Sequence, residues 1–273
     1  MYIFVSSIGR SGTRFLSQLM ASCTQIPSFH SLEPHCTGDT YVKYNQGTRA
    51  RDLKELKEKF KAIKSHSRKD SFFESSHIFL RLYAIPALSK LSDVHVIHLT
   101  RDPIEVARSY MNRDSVPGNK TKPWRLPLNL NRNSIYIKEK LELTGIQKNL
   151  VDWLENELRF WKLASRFTDI FHMYHSELND PTMYMRLFRQ FNIKFDQSNL
   201  EKTLAMANKL DQNKNVEETV LLSEDLIEAK DLIPILMKNQ VDISPLRHEY
   251  YVDYQWIRDI IEYYDLNSEF CII

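Results

Sequence analysis

Three observations predict an α/β fold: a parallel sheet as the middle of three layers, flanked by helices, with a helical C-terminal part. A short apolar run, Tyr2 to Val5, passes through Gly9-Arg10-Ser11-Gly12-Thr13 into helical spacing at Phe15, Leu16, Leu19 and Met20. A second run, Val94-His-Val-Ile-His-Leu-Thr100, is β-branched, and Pro103 opens a helix soon after it. Between and beyond these, strand-like and helix-like segments alternate, the order that gives parallel strands with helices on both faces.

In chain order, the strand Tyr2–Val5 leads to a helix ending near Cys23, then a short apolar stretch over Phe29–Leu32. Lys54 to Ile63 is a charged helical run, and Phe72-Phe73-Glu74 reads as the end of a strand. Ile78 to Leu91 has helical spacing, Val94–Thr100 is a buried strand, and Ile104 to Met111 is a helix with proline at its first position. Residues 114–145 are rich in proline and asparagine and read as a long irregular loop, of the kind used as a lid or binding loop. Val151 to Phe167 is an amphipathic helix, Ile170–Tyr174 a last strand, and the remainder mostly helical.

The 273 residues, 42% of them apolar, fit one large domain over 1–273. A formal charge of +2 is too balanced for nucleic acid as the main partner, though it allows a local basic pocket for a small anion. Cys23, Cys36 and Cys271 are odd in number and widely spaced, so they form neither a disulfide framework nor a metal pattern. The chain opens on its first strand and has no apolar run of membrane-spanning length, which leads us to expect a cytoplasmic location. Without a secretory route, the sequon Asn119-Lys120-Thr121 is read as chance.

A loop between a strand and a helix aims backbone N–H groups and a helix N-terminus at an oxyanion. Gly9 and Gly12 allow the tight path, and Arg10 adds a fixed positive charge. The Gly-Lys-Ser/Thr ending of a nucleoside-triphosphate loop is absent, and Thr13 stands where its lysine would be. A second anion site is written into Leu99-Thr-Arg101-Asp-Pro-Ile-Glu-Val-Ala-Arg-Ser109. There a guanidinium at a strand end precedes a hydroxyl on the following helix, a suitable pair for a terminal phosphate.

Together these blocks resemble the P-loop sulfotransferases that use 3′-phosphoadenosine 5′-phosphosulfate (PAPS), over roughly residues 1–190. The resemblance implies that Arg10, Ser11, Gly12 and Thr13 hold the 5′-phosphosulfate and that Arg101 and Ser109 grip the 3′-phosphate. Leu32-Glu33-Pro34 looks like the Glu-Pro segment of the carbohydrate sulfotransferases, which implies Glu33 as the catalytic base. Tyr174-His-Ser-Glu-Leu-Asn-Asp-Pro181 and Phe73-Glu-Ser-Ser-His77 resemble further family segments and bring in Tyr174 at the nucleotide and His77 as a second base. Arg14 departs from the family's Thr or Ser and either adds a cation at the phosphate or points outward. The Arg-Lys-Gly segment of the cytosolic branch is absent, and the sequence does not show whether Arg247 replaces it.

The implied reaction is metal-free transfer of a sulfuryl group to a hydroxyl of a carbohydrate or other small molecule. Lys64-Ser65-His66 mimics a family string but lies far from Arg101, and Glu74 is read as either orienting its neighbours or the acceptor, or as a buried, paired carboxylate. Trp153 and Trp161 are assigned to the core, Trp124 is held for acceptor contact, and Lys54–Lys64 and Glu217–Lys230 are taken as solvated helix faces. Two rivals stay open: an ATP-dependent kinase, for which Asp102 is the one metal-binding candidate, and a nucleotide-binding protein without chemistry.

Overall fold

The computed structural model describes residues 1–118, 125, 128, 130, 132, 133, 135, 142–213 and 223–267, with 207–213 described by backbone alone. Packing divides the chain into two compact units, Met1–Arg101 with Leu163–Glu218, and Asp102–Lys162 with Thr219–Ile273. No helix among the described residues is long and apolar enough to cross a membrane.

The first unit is built on five parallel strands, β1 (Tyr2–Ser6), β2 (Ser28–His30), β3 (Phe72–Ser75), β4 (Val94–Thr100) and β5 (Asp169–Tyr174), in the order β2-β3-β1-β4-β5. Alternation along β1 explains its central place. Ile3 and Val5 join a core with Phe73, Ile97, Leu99 and Phe171, while Phe4 stacks on Phe79 at 4.6 Å on the other face. The first face is covered by α1 (Thr13–Cys23), through Leu16, Leu19 and Met20, by α7 (Pro181–Gln190) and by α8 (Gln197–Asn213).

Also in this unit are α2 (Asp39–Asn45), α3 (Lys54–His66) and α4 (Ala84–Lys90), the last entered through a π-turn over Phe79–Tyr83. Helix α3 corrects one expectation. Its charged run is not a solvated face throughout, because Leu56, Lys59, Phe60 and Ile63 form a buried stripe, with Lys59 1% exposed. Cys23 and Cys36 are buried and unbridged, with burial pushing each thiol up to about 12.

The second unit is helical: α5 (Pro103–Met111), α6 (Gly145–Ala164), α9 (Ser223–Lys238) and α10 (Gln255–Asn267). Helix α6 starts earlier than the amphipathic pattern predicts because Thr144 and Gln147 cap it reciprocally. The Thr144 hydroxyl accepts from the Gln147 N–H at 3.2 Å, and the Gln147 side chain accepts from the Thr144 N–H at 3.1 Å. The described parts of the 114–145 segment are pinned to α6. Arg125 is buried against Asp152 at 2.6 Å, and the Ile135 N–H reaches Glu155 at 2.8 Å. Trp153 is fully buried, in keeping with a core role, whereas Trp161 is only half-buried and its indole donates to the Tyr251 hydroxyl at 2.7 Å. Asp225 is buried and paired with Arg108 at 3.4 Å, so the run Glu217–Lys230 is not wholly solvated either. Arg247 is paired with Asp265 at 2.5 Å. Trp124, Cys271 and the sequon at Asn119 lie outside the described residues.

Candidate functional site

Ligands of open parallel sheets bind beyond the carboxyl ends of the strands. That edge carries Ser6, His30, Ser75, Thr100 and Tyr174 as the last residues of the five strands. The loop after β1 turns sharply there: Arg10 and Gly12 both take left-handed conformations, with φ of 72° and 85°. Any other residue at position 12 would be strained at this φ, and its Cβ would come 2.2 Å from Leu178 Cδ1, which would have to shift. Helix α1 begins next without a side-chain cap bond and without an acidic residue in its first turn, so its N-terminal end carries no anionic side chain of its own. The Ser11 hydroxyl is fully buried in the same turn and meets no hydrogen-bond partner among the described residues.

Arg101 follows β4, the neighbour of β1, and its Nη1 donates to the Arg10 carbonyl at 2.9 Å. The two arginines singled out in the sequence are thus brought together, one positioned by the other's backbone. Tyr174 ends β5 opposite Thr100, and its N–H is held by the Glu177 carboxylate at 2.8 Å. Ser109 is buried on α5 in the second unit. Asp102 caps that helix by accepting from the Ile104 and Glu105 N–H groups at 2.9 and 3.1 Å.

On the other flank of β1, Glu33 sits on the loop after β2 with 85% of its side chain exposed, 3.8 Å from His35. His77 is half-buried just beyond β3. Glu74 is buried and paired: its carboxylate accepts from Lys59 at 2.6 Å and from the Leu32 N–H at 2.8 Å. Burial raises this carboxyl, against the pull of Lys59 and the Leu32 amide. Arg14 is exposed on the first turn of α1. His66 lies at the end of α3, with its Nδ1 on the Ala62 carbonyl at 2.8 Å.

Two polar residues here were not singled out from sequence. His30 places its Nδ1 3.0 Å from the Ser75 hydroxyl, and that hydroxyl donates to the Thr13 carbonyl at 2.8 Å. Burial, Arg14 and His35 hold the His30 ring below its ordinary titration range. Among the described residues no group of three or more His, Cys, Asp or Glu is placed to hold a metal ion.

The family model for the sulfotransferase domain matches residues 2–225. No curated protein sequence matches the chain. Among solved structures, the chain is similar to the sulfotransferase domain from the Synechococcus PCC 7002 olefin synthase, at 11% identity over 98% of this chain and 94% of that one, with a TM-score of 0.48. It is similar also to mouse sulfotransferase SULT7A1 complexed with PAP, at 12% identity over 100% of this chain and 85% of that one, with a TM-score of 0.45. The strand, uncapped turn and helix at Tyr2–Cys23 thus lie inside a family match covering most of the chain, and the protein belongs to the sulfotransferases, enzymes of sulfuryl transfer.

Proposed function

We propose that the donor is PAPS and that the acceptor is a hydroxyl of a carbohydrate or other small molecule. The observation that carries the donor reading is the buried Ser11 hydroxyl without a partner, in a turn that opens an uncapped helix. Such a turn is suited to an oxyanion. PAPS, when bound, supplies the activated sulfuryl group. Arg10, Ser11, Gly12 and Thr13 hold its phosphosulfate in this reading, and Arg10 with the α1 amides stabilises charge developing on the leaving phosphate.

Arg101, Tyr174 and Ser109 are assigned to the nucleotide, Arg101 at the 3′-phosphate; the part of Ser109 rests on the resemblance alone. Arg14 is exposed and acts on His30, which favours a place toward the acceptor over one at the phosphate. The resemblance offers Glu33 and His77 to take the acceptor's proton, and both follow strands at this edge. The kinase alternative needs a carboxylate for magnesium, and Asp102 is instead engaged at the start of α5.

The test is calorimetric titration of the chain with 3′-phosphoadenosine 5′-phosphate (PAP), ADP and ATP in the absence of metal. Metal-independent binding of PAP alone is expected. Preference for ATP with magnesium would replace this reading by the kinase.

A further inference from the structure

His30 ends β2, and its ring is held by a chain of hydrogen bonds that runs back into the phosphate loop. The chain also fixes where the ring proton sits. The Ser75 hydroxyl has one proton, and it is committed to the Thr13 carbonyl at 2.8 Å. Ser75 can therefore only accept from His30, so Nδ1 carries the proton of the neutral ring and Nε2 carries the lone pair. Nε2 makes no hydrogen bond with any described residue, and the ring is only partly buried.

A base oriented through its second nitrogen by a hydroxyl that is itself anchored is an arrangement suited to general-base work. The groups that act on the ring electrostatically are Arg14 on α1 and His35 on the loop after β2, both basic. Glu74, on the adjacent strand, is occupied by Lys59. The ring is thereby kept neutral, the form a proton acceptor needs at rest.

We propose that His30 is the catalytic residue that takes the proton of the acceptor hydroxyl on Nε2. The step rests on the sulfuryl-transfer reading above but on neither Glu33 nor His77. As the acceptor oxygen forms its bond to sulfur, the bond from sulfur to the bridging phosphate oxygen breaks. The electron pair of that bond leaves with the phosphate, and the hydroxyl proton passes to Nε2. The resulting imidazolium keeps its Nδ1–H on Ser75, and the nearby Arg14 favours release of the new proton to solvent. Thr13 couples the two halves of the reaction, because its carbonyl anchors the base and its own turn belongs to the donor loop.

The test has two arms. In the first, nitrogen-correlated NMR of the histidines in the full chain reads the tautomer of His30 directly. The proton is expected on Nδ1, with titration below the ordinary histidine value and an upward move in Arg14→Gln. A proton on Nε2 would overturn the proposal whatever the donor.

In the second arm, release of PAP from PAPS is followed against pH with water as the acceptor. Wild type is expected to lose activity on acidification, as the base protonates. His30→Asn keeps a donor for Ser75, so its PAP affinity should stay within about twofold of wild type, while turnover drops about 100-fold and the acid limb disappears. An unchanged rate and limb in His30→Asn, or a limb lost only in Glu33→Gln, would move the base elsewhere. Failure of the wild type to bind PAP would count against the donor reading and leave the NMR arm to decide on His30.

Discussion

The ammonium of Lys59 and the carboxylate of Glu74 meet at 2.6 Å, with side-chain exposures of 1% and 0%. Both also grip one residue: Glu74 accepts the Leu32 N–H at 2.8 Å, and Lys59 donates to the Leu32 carbonyl at 2.5 Å. A dry ion pair thus satisfies both backbone polar atoms of the residue preceding Glu33. Its value to the fold is in what its loss would leave behind, a buried charge without a counterion.

Lys59→Met should therefore destabilise the chain by about 3–5 kcal/mol at neutral pH, read from urea unfolding. The sign of the pH dependence follows from burial. Glu74 has a raised carboxyl in the folded chain, so the folded state binds the proton where the unfolded state has lost it. Stability of the variant is greatest below the ordinary carboxylate range and is lost as pH climbs through the raised value. A penalty that does not grow with pH would mean that Glu74 is solvated.

Arg101→Ala should weaken binding of PAP by roughly 10–150-fold, the loss of charge-assisted hydrogen bonds worth about 1.5–3 kcal/mol. Binding of adenosine 5′-phosphate, which lacks the 3′-phosphate, should change far less. Calorimetry with both ligands separates the outcomes. Equal weakening would show that Arg101 acts by holding the Arg10 carbonyl and not by reaching the nucleotide.

Gly12→Ala places a Cβ 2.2 Å from the Leu178 methyl and forces alanine to a φ of 85°. The backbone strain alone is about 1–2 kcal/mol, and displacement of buried Leu178 adds to it. A lower melting temperature together with weaker PAP binding is expected. A variant as stable as wild type would mean that the turn adopts another path.

Cys23 and Cys36 should resist iodoacetamide in the native chain at pH 8, since both thiols are buried and pushed up to about 12. Peptide mapping by mass spectrometry should find both modified only after denaturation. Rapid labelling of Cys36 in the native chain would show that the loop after β2 opens.

The central strands were legible because their residues agree at every level: β-branched or aromatic runs, glycine at the turn, proline opening the next helix. The same holds for the turn after β1, where two glycines and an arginine are local signals. Lys59 was hidden because charge dominates a reading of Lys54–Lys64, although Leu56, Phe60 and Ile63 define a stripe that position 59 shares. The Thr144–Gln147 cap was written in the sequence as a Thr-x-x-Gln pattern, but the polar segment before it masked the start of α6. His30 and Ser75 could not be paired from sequence at all. They meet through the register of two parallel strands, a relation between segments far apart in the chain.

The order β2-β3-β1-β4-β5 sets β1 between two flanks, β2 with β3 and β4 with β5. Arg101 and Tyr174 hang from β4 and β5, whereas His30, Glu33 and Ser75 hang from β2 and β3. In the proposed reaction, one flank holds a nucleotide common to many enzymes and the other meets an acceptor particular to this one. Drift in the β2 and β3 termini can then retune what is sulfated while the β4 and β5 termini go on holding the same donor, so new specificities are open to this lineage by changing half of a sheet edge.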